Sequence, residues 1–217
     1  MFRSLGIVVS AIEEKNPPLE IEQYGTFPGL NVPDMIRYQV VDVGGQKNER
    51  KKWMHCFDDV KCVLFLISLA EYNQKMFEIP GGNRMDDSLQ LLGDISKKKE
   101  FEKTPLFVFM NKKDVFKEML VNFPLSNKFP EYKDGANDIK GIDFLKQKYR
   151  AALPIARQSA INFFPITGVV KKDVADAFSQ VKEQLRAGNK SKIQEEMKKI
   201  KAEKDAEEAA QRSCVIS

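Results

Sequence analysis

The sequence predicts an α/β fold built on a parallel sheet, and three observations carry that prediction. Near-continuous apolar runs at 60–68, 106–110 and 161–166 read as strands buried on both faces. Around them, apolar residues recur at helical spacing: Met85, Leu89, Leu92 and Ile95; then Ile142, Leu145, Tyr149 and Leu153; then Val174, Phe178, Val181 and Leu185. Strands that alternate with helices pair in parallel through right-handed crossovers, and ligands then sit beyond the carboxyl ends of the strands. A further strand is expected at 36–43, running into Gly44-Gly45.

Composition narrows the class. The 217 residues can bury one sizeable α/β core. With 42% hydrophobic and 30% charged residues the chain has a globular balance, not a disordered one. A formal net charge of +4 is too small to argue for a nucleic-acid partner. Cys56, Cys62 and Cys214 are sparse, odd in number and without metal-ligand spacing, which argues against a disulfide framework and for a reducing compartment. The opening MFRSLGIVVSAIEEK holds a short apolar run with no small-residue cleavage site, so it reads as a strand, not a signal peptide. No apolar stretch is long enough to cross a bilayer.

Three parts are expected. Residues 1–35 are mixed, with Asn16-Pro17-Pro18 and a turn-rich stretch at 25–33. Residues 36–185 hold the strand and helix signals. Residues 186–217 form a Lys/Glu/Ala-rich tail that should continue the last helix into solvent, with Ile193, Met197 and Ile200 as a thin apolar stripe.

Two motifs fall at expected strand ends. Asp42-Val43-Gly44-Gly45-Gln46 places a carboxylate where it can hold magnesium through water. Its glycine lets a backbone N–H approach a terminal phosphate, and the glutamine can orient an attacking water. Asn111-Lys112-Lys113-Asp114 places a carboxylate that can accept both N1–H and the exocyclic amine of guanine, a paired contact that rejects adenine. The Lys112 stem can cover the base, and Asn111 can tie neighbouring loops. Taken singly, the first motif also reads as a Gly-Gly turn, and the second as a polar turn with Asp114 as helix N-cap.

Together they are more specific. Residues 42–57, DVGGQKNERKKWMHCF, resemble the switch II signature of heterotrimeric G-protein alpha subunits. Glu71-Tyr72-Asn73-Gln74 and Asn83-Arg84-Met85-Asp86-Asp87-Ser88 are similar to the segments flanking that family's switch III; FVFMNKKD and Phe129-Pro130-Glu131-Tyr132 follow in order. The resemblance covers residues 36–185 and implies a Ras-like P-loop NTPase fold. It also implies GTP/GDP and Mg2+ as ligands, with βγ dimer, receptor and effector as partners. Asp42 would be the magnesium-side carboxylate, Gly45 the γ-phosphate sensor with Val43 and Gly44 beside it, and Gln46 the catalytic residue that positions water. Asn111, Lys112, Lys113 and Asp114 would form the base loop. Arg50, Lys51, Lys52 and Trp53 would form the switch II helix that grips partners, with His55 and Cys56 structural. The family's last loop is matched by Ile166-Thr167-Gly168-Val169, where the N–H of Gly168 would meet the guanine oxygen.

The chain also departs from the family. No GxxxxGK[ST] phosphate loop occurs in it, and the first strand and inserted helical domain have no counterpart, so the expected fold is incomplete. Arg3-Ser4-Leu5-Gly6-Ile7 resembles a switch I remnant in which Ser4 would stand for the magnesium-binding threonine. The family's catalytic arginine would fall at Met1. An insertion of about twenty residues would then precede Asp42, longer than ordinary loops. A truncated gene model and a genuine short protein fit equally.

The last four residues, Cys214-Val215-Ile216-Ser217, make a C-a-a-X box that favours a farnesyl group, against a free cysteine near a frayed end. One lipid chain anchors only weakly. The tail lysines could assist, diluted by neighbouring acids. Prenylation would place the chain on the cytoplasmic face of the plasma membrane; without it, cytosol is expected. Three functions remain open. One is a GTP-hydrolysing alpha subunit that relays receptor signals. The second is a non-hydrolysing module that captures βγ or effectors through switch II. The third is a non-functional fragment.

Overall fold

The structure, a computed structural model, describes residues 7–15, 35–57, 60–77 and 79–215, with backbone alone for 54, 55 and 207–215. Ser4 and residues 16–34 lie outside this description. Among the described residues there are five strands and five α-helices: β1 (Ile7–Lys15), β2 (Met35–Val43), β3 (Val63–Ser68), α1 (Arg84–Ser96), β4 (Leu106–Asn111), α2 (Lys113–Asn122), α3 (Asp138–Ala151), α4 (Ile155–Gln158), β5 (Asn162–Pro165) and α5 (Lys171–Val215). They fall into two compact units, residues 57–185 and residues 1–56 with 186–217.

The 57–185 unit holds a parallel sheet in the order β3-β4-β5. β4 lies in the middle, and its first five residues are at most 5% exposed, which is what an uninterrupted LFVFM run requires. On one face Phe107 and Phe109 pack with Phe164 and Ile166 against Ala177 and Val181 of α5, with Phe178 and Leu185 at the rim. On the α1 side, Met85, Leu92 and Ile95 are buried. In α3, Leu145 and Tyr149 are fully enclosed, and Tyr149 donates to Ser88 Oγ at 3.2 Å. Burial pushes the Tyr149 phenol above its ordinary pKa. Asn83 caps α1, accepting from the N–H of Met85 and Asp86 while donating to Tyr72 O at 2.8 Å.

β3 departs from expectation. It starts at Val63, not residue 60, and Leu66 is 66% exposed. The reason is its place: β3 pairs only with β4 among the described residues, so one edge lacks a neighbouring strand.

A second difference concerns β2, expected among the parallel strands. It pairs antiparallel with β1 in a separate two-stranded sheet, with Ile7 opposite Val43 and Lys15 opposite Met35. The segment MIRYQVVDV alternates instead of running apolar, and its exposure alternates too. That is the pattern of a strand half-covered on one face. On the partly covered face Tyr38 donates to Glu14 Oε1 at 2.9 Å, and Arg186 of α5 pairs with the same carboxylate. On the other face Arg37 and Glu13 form an exposed ion pair.

α5 continues without a break to Val215. No helix among the described residues is long and apolar enough to cross a membrane.

Candidate functional site

The Asn111-Lys112-Lys113-Asp114 motif sits at the carboxyl end of β4. Asn111 is the last strand residue and works as a clamp. Its Oδ1 accepts from the Lys112 N–H at 2.6 Å and from the Gly168 N–H at 2.8 Å, joining the β4–α2 turn to the loop after β5. The Lys113 N–H adds a bond to Ile166 O at 3.2 Å. Lys112 makes the sharp turn into α2 with φ 63°, ψ 41°, a left-handed conformation that costs a non-glycine residue about 1–2 kcal/mol. Lys112 itself, not Asp114, is therefore the N-cap of α2, and it caps without a side-chain bond. Asp114 sits one residue inside the helix. Its carboxylate is exposed and has no hydrogen bond or ion pair among the described residues.

Gly168 allows the clamp to close. A Cβ there would lie 2.8 Å from both terminal atoms of the Asn111 side chain. Gly168→Ala should push Asn111 out of its two bonds and cost about 1–2 kcal/mol, read as a lower melting temperature. The Gly168 N–H, expected to face a base oxygen, is engaged by Asn111 in the structure.

Asp173, in the first turn of α5, was not singled out from sequence. Its Oδ2 accepts from the Thr167 N–H at 3.0 Å and from Lys113 Nζ at 3.3 Å, pinning both loops from a second side. The backbone bond from Thr167 and then Lys113 hold its carboxyl below the usual range. A depressed carboxyl stabilises the folded state above its unfolded pKa, about 3.9, and loses that contribution as pH falls through the lower folded value. Acid unfolding followed by circular dichroism should therefore shift less with pH below 4 in Asp173→Asn than in the parent.

Two further groups border this end of the sheet. Ser68, opposite Asn111 in the β3–β4 register, buries its Oγ with no hydrogen-bond partner among the described residues. Such an orphan costs about 1–3 kcal/mol, so water or a ligand is expected to satisfy it. Glu71, in the 3₁₀ turn Leu69–Asn73, pairs with Arg84 at 3.2 Å; burial raises its pKa, against the lowering pull of Arg84 and Lys112.

The phosphate-type motif lies in the other unit, after β2. Asp42 is exposed. Gly44 is buried, and its carbonyl accepts from Trp53 Nε1 at 2.9 Å. Gly45 O accepts from Arg50 Nε at 3.3 Å, and Gln46 O accepts from the N–H of Glu49 and Arg50. A Cβ on Gly45 would meet nothing within 4 Å, and its φ lies outside the left-handed region. Nothing in the described chain therefore requires glycine there; close approach of an outside group would. The segment expected to form the switch II helix is a 3₁₀ helix, Arg50–Cys56. Lys51 is exposed, Lys52 pairs with Glu49 at 2.9 Å, and Trp53, only 9% exposed, faces inward as an anchor. His55 has only its backbone described, and Cys56 is half-buried and free.

The Asp114 carboxylate is an exposed acceptor group without a partner among the described residues, the kind of group that paired N–H donors of a base could engage. For magnesium, the described residues bring no three acidic, histidine or cysteine groups together. That ion is commonly held by one or two carboxylates with phosphates and water, and Asp42 can be one of them.

A family model described as G-protein alpha subunit matches residues 15–185. The chain is 42% identical over 166 residues to the guanine nucleotide-binding protein alpha-8 subunit of Dictyostelium discoideum, covering 76% of this chain and 41% of that protein. It is 44% identical over 127 residues to the alpha-9 subunit of the same organism, covering 58% and 37%. With the alpha-2 subunit of Caenorhabditis briggsae it shares 40% over 116 residues, 54% and 33% of the two chains. The chain thus spans less than half the length of these relatives. With the family model matching residues 15–185, most of its length, the chain belongs to the G-protein alpha-subunit family.

Proposed function

We propose that this chain carries guanine-nucleotide contacts of a G-protein alpha subunit, a GTP/GDP switch in transmembrane-receptor signalling. One observation supports the reading above the others: the exposed Asp114 carboxylate, without a partner among the described residues and held in a loop braced by Asn111, Gly168 and Asp173. A group fixed by this many bonds yet left with free acceptors is preorganised for a ligand with paired donors. Asp114 takes the two guanine donors, the Lys112 stem lies over the base, and Lys113 ties the loop to Asp173. The contribution of Gly168 is the close approach that joins the loops.

On the phosphate side, Val43, Gly44 and Gly45 offer backbone N–H groups and Gln46 orients water. Asp42 through water, with the Ser4 hydroxyl, belongs to the magnesium side. The 3₁₀ segment with Arg50, Lys51, Lys52 and its anchor Trp53 is the face for βγ or effectors. Cys214 carries a prenyl group that holds the protein at the cytoplasmic face of the plasma membrane, and unmodified chain is cytosolic.

The test is titration of the purified full chain with fluorescent GDP and ADP analogues in magnesium buffer. Saturable binding of GDP alone is expected. A cooperative melt with βγ capture and no response to any nucleotide would replace the reading by a non-hydrolysing binding module.

A further inference from the structure

We infer that Ser68 is a positioning residue of the base loop: its hydroxyl holds the side-chain amide of Asn111 through one bound water. The inference deepens the guanine-nucleotide reading and rests on it for the effect on affinity. Ser68 ends β3 and is only 8% exposed. A serine at a strand end ordinarily turns its hydroxyl to solvent. This Oγ is enclosed and has no hydrogen-bond partner among the described residues. The residue itself is held in place, because its backbone N–H donates to the Glu71 carboxylate, which pairs with Arg84.

The neighbouring strand supplies the complement. Ser68 stands opposite Asn111 in the parallel register, and opposed residues project to the same face of a sheet. Asn111 Oδ1 is committed to the N–H groups of Lys112 and Gly168, which fixes the other end of the amide as Nδ2. Nδ2 carries two N–H donors and makes no bond among the described residues. An enclosed hydroxyl with acceptor lone pairs thus stands beside an amide with donors to spare, and the two do not bond directly. Neighbouring strands lie about 4.8 Å apart, too far for one hydrogen bond of about 2.9 Å and close to the span of two bonds that meet at a water. Buried waters typically sit where such otherwise unsatisfied polar groups converge. The enclosure of Oγ, against the exposure of Asp114, favours a water within the protein over a group of the ligand. Holding Nδ2 keeps the amide from rotating, so Oδ1 stays on both loops and Asp114, three residues on, keeps its place.

The test is NMR of the full chain labelled with 15N, followed by titration with GDP. In the parent, the Asn111 side-chain amide should exchange slowly and show a cross-peak to a long-lived water, with and without GDP. In Ser68→Ala the cross-peak should vanish and exchange should quicken. The melting temperature supplies a sign: truncating an unsatisfied buried hydroxyl raises it, whereas truncating a bridged one lowers it, here by about 2–4 °C. Guanine affinity should fall about three- to tenfold. Ser68→Cys fills the same space with a poor hydrogen-bonding group and should lose the cross-peak as well. An unchanged Asn111 amide in Ser68→Ala, or melting at or above the parent temperature, would overturn the inference. So would loss of the water signal from the parent when GDP is added, which would make the hydroxyl a direct ligand contact. A water signal that depends on Ser68 in a chain that binds no GDP would support the bridge and leave the nucleotide reading to fall alone.

Discussion

Asp114→Asn should exchange guanine for xanthine. A carboxylate has only acceptors, and guanine offers it two donors, N1–H and the 2-amine. An asparagine amide presents one acceptor and one N–H donor group, so the guanine amine would face a donor and lose its partner. Xanthine carries an oxygen where guanine carries the amine, and that oxygen accepts from the amide while N1–H still donates. Sites built on a paired bond reject the mismatched ligand strongly, so guanine affinity should fall by at least about 10³-fold while xanthosine diphosphate gains. The fold should not change, because Asp114 is exposed and has no partner to lose among the described residues. Such surface substitutions lie within about 0.5 kcal/mol. Competition between the two diphosphates measures the exchange. Unchanged guanine affinity, or equal loss of both ligands, would remove the base-site reading.

What the sequence made legible follows from where each residue sits. β4 could be read from LFVFM because it is the middle strand and water reaches neither face. The same reasoning misjudged β3, whose apolar run implied two covered faces although it has only one neighbouring strand. The pairing of β2 was misread although the signal was present: Met35–Val43 alternates, and alternation marks a strand with one open face. The base loop was legible in its residue types and not in its bracing. Nothing local distinguishes the left-handed Lys112 from an ordinary lysine, because its turn is imposed by the Asn111 clamp. Asp173 escaped notice because an acid in a first helical turn is commonplace. Its importance comes from a loop folded back onto it, a tertiary fact. Gly45 is the converse: the motif named it, and nothing within 4 Å of it in the described chain requires a glycine there.

Phe107→Ala should carry the largest cost in stability, and it tests whether the base loop depends on the strand that bears it. Phe107 is fully buried in β4, with its ring 6.2 Å from that of Phe164 and within the cluster that joins the sheet to α5. Truncation removes the ring and leaves a void that neighbours on paired strands cannot readily close, for a loss of about 3–5 kcal/mol. Domains of this size have about 5–15 kcal/mol in total, so the variant should melt more than about 10 °C lower, read by circular dichroism. Phe163→Ala is the control. It lies one residue along β5 on the opposite face, half-buried under the guanidinium of Arg150, and should cost clearly less. Asn111 is four residues beyond Phe107 on the same strand, so its clamp on Gly168 loosens as β4 frays. Guanine affinity in Phe107→Ala should therefore fall before the unit melts, while Phe163→Ala binds as the parent does. A variant that loses stability yet keeps full affinity at a temperature where it is still folded would separate the loop from its strand. The bracing by Asp173 would then be what holds the site.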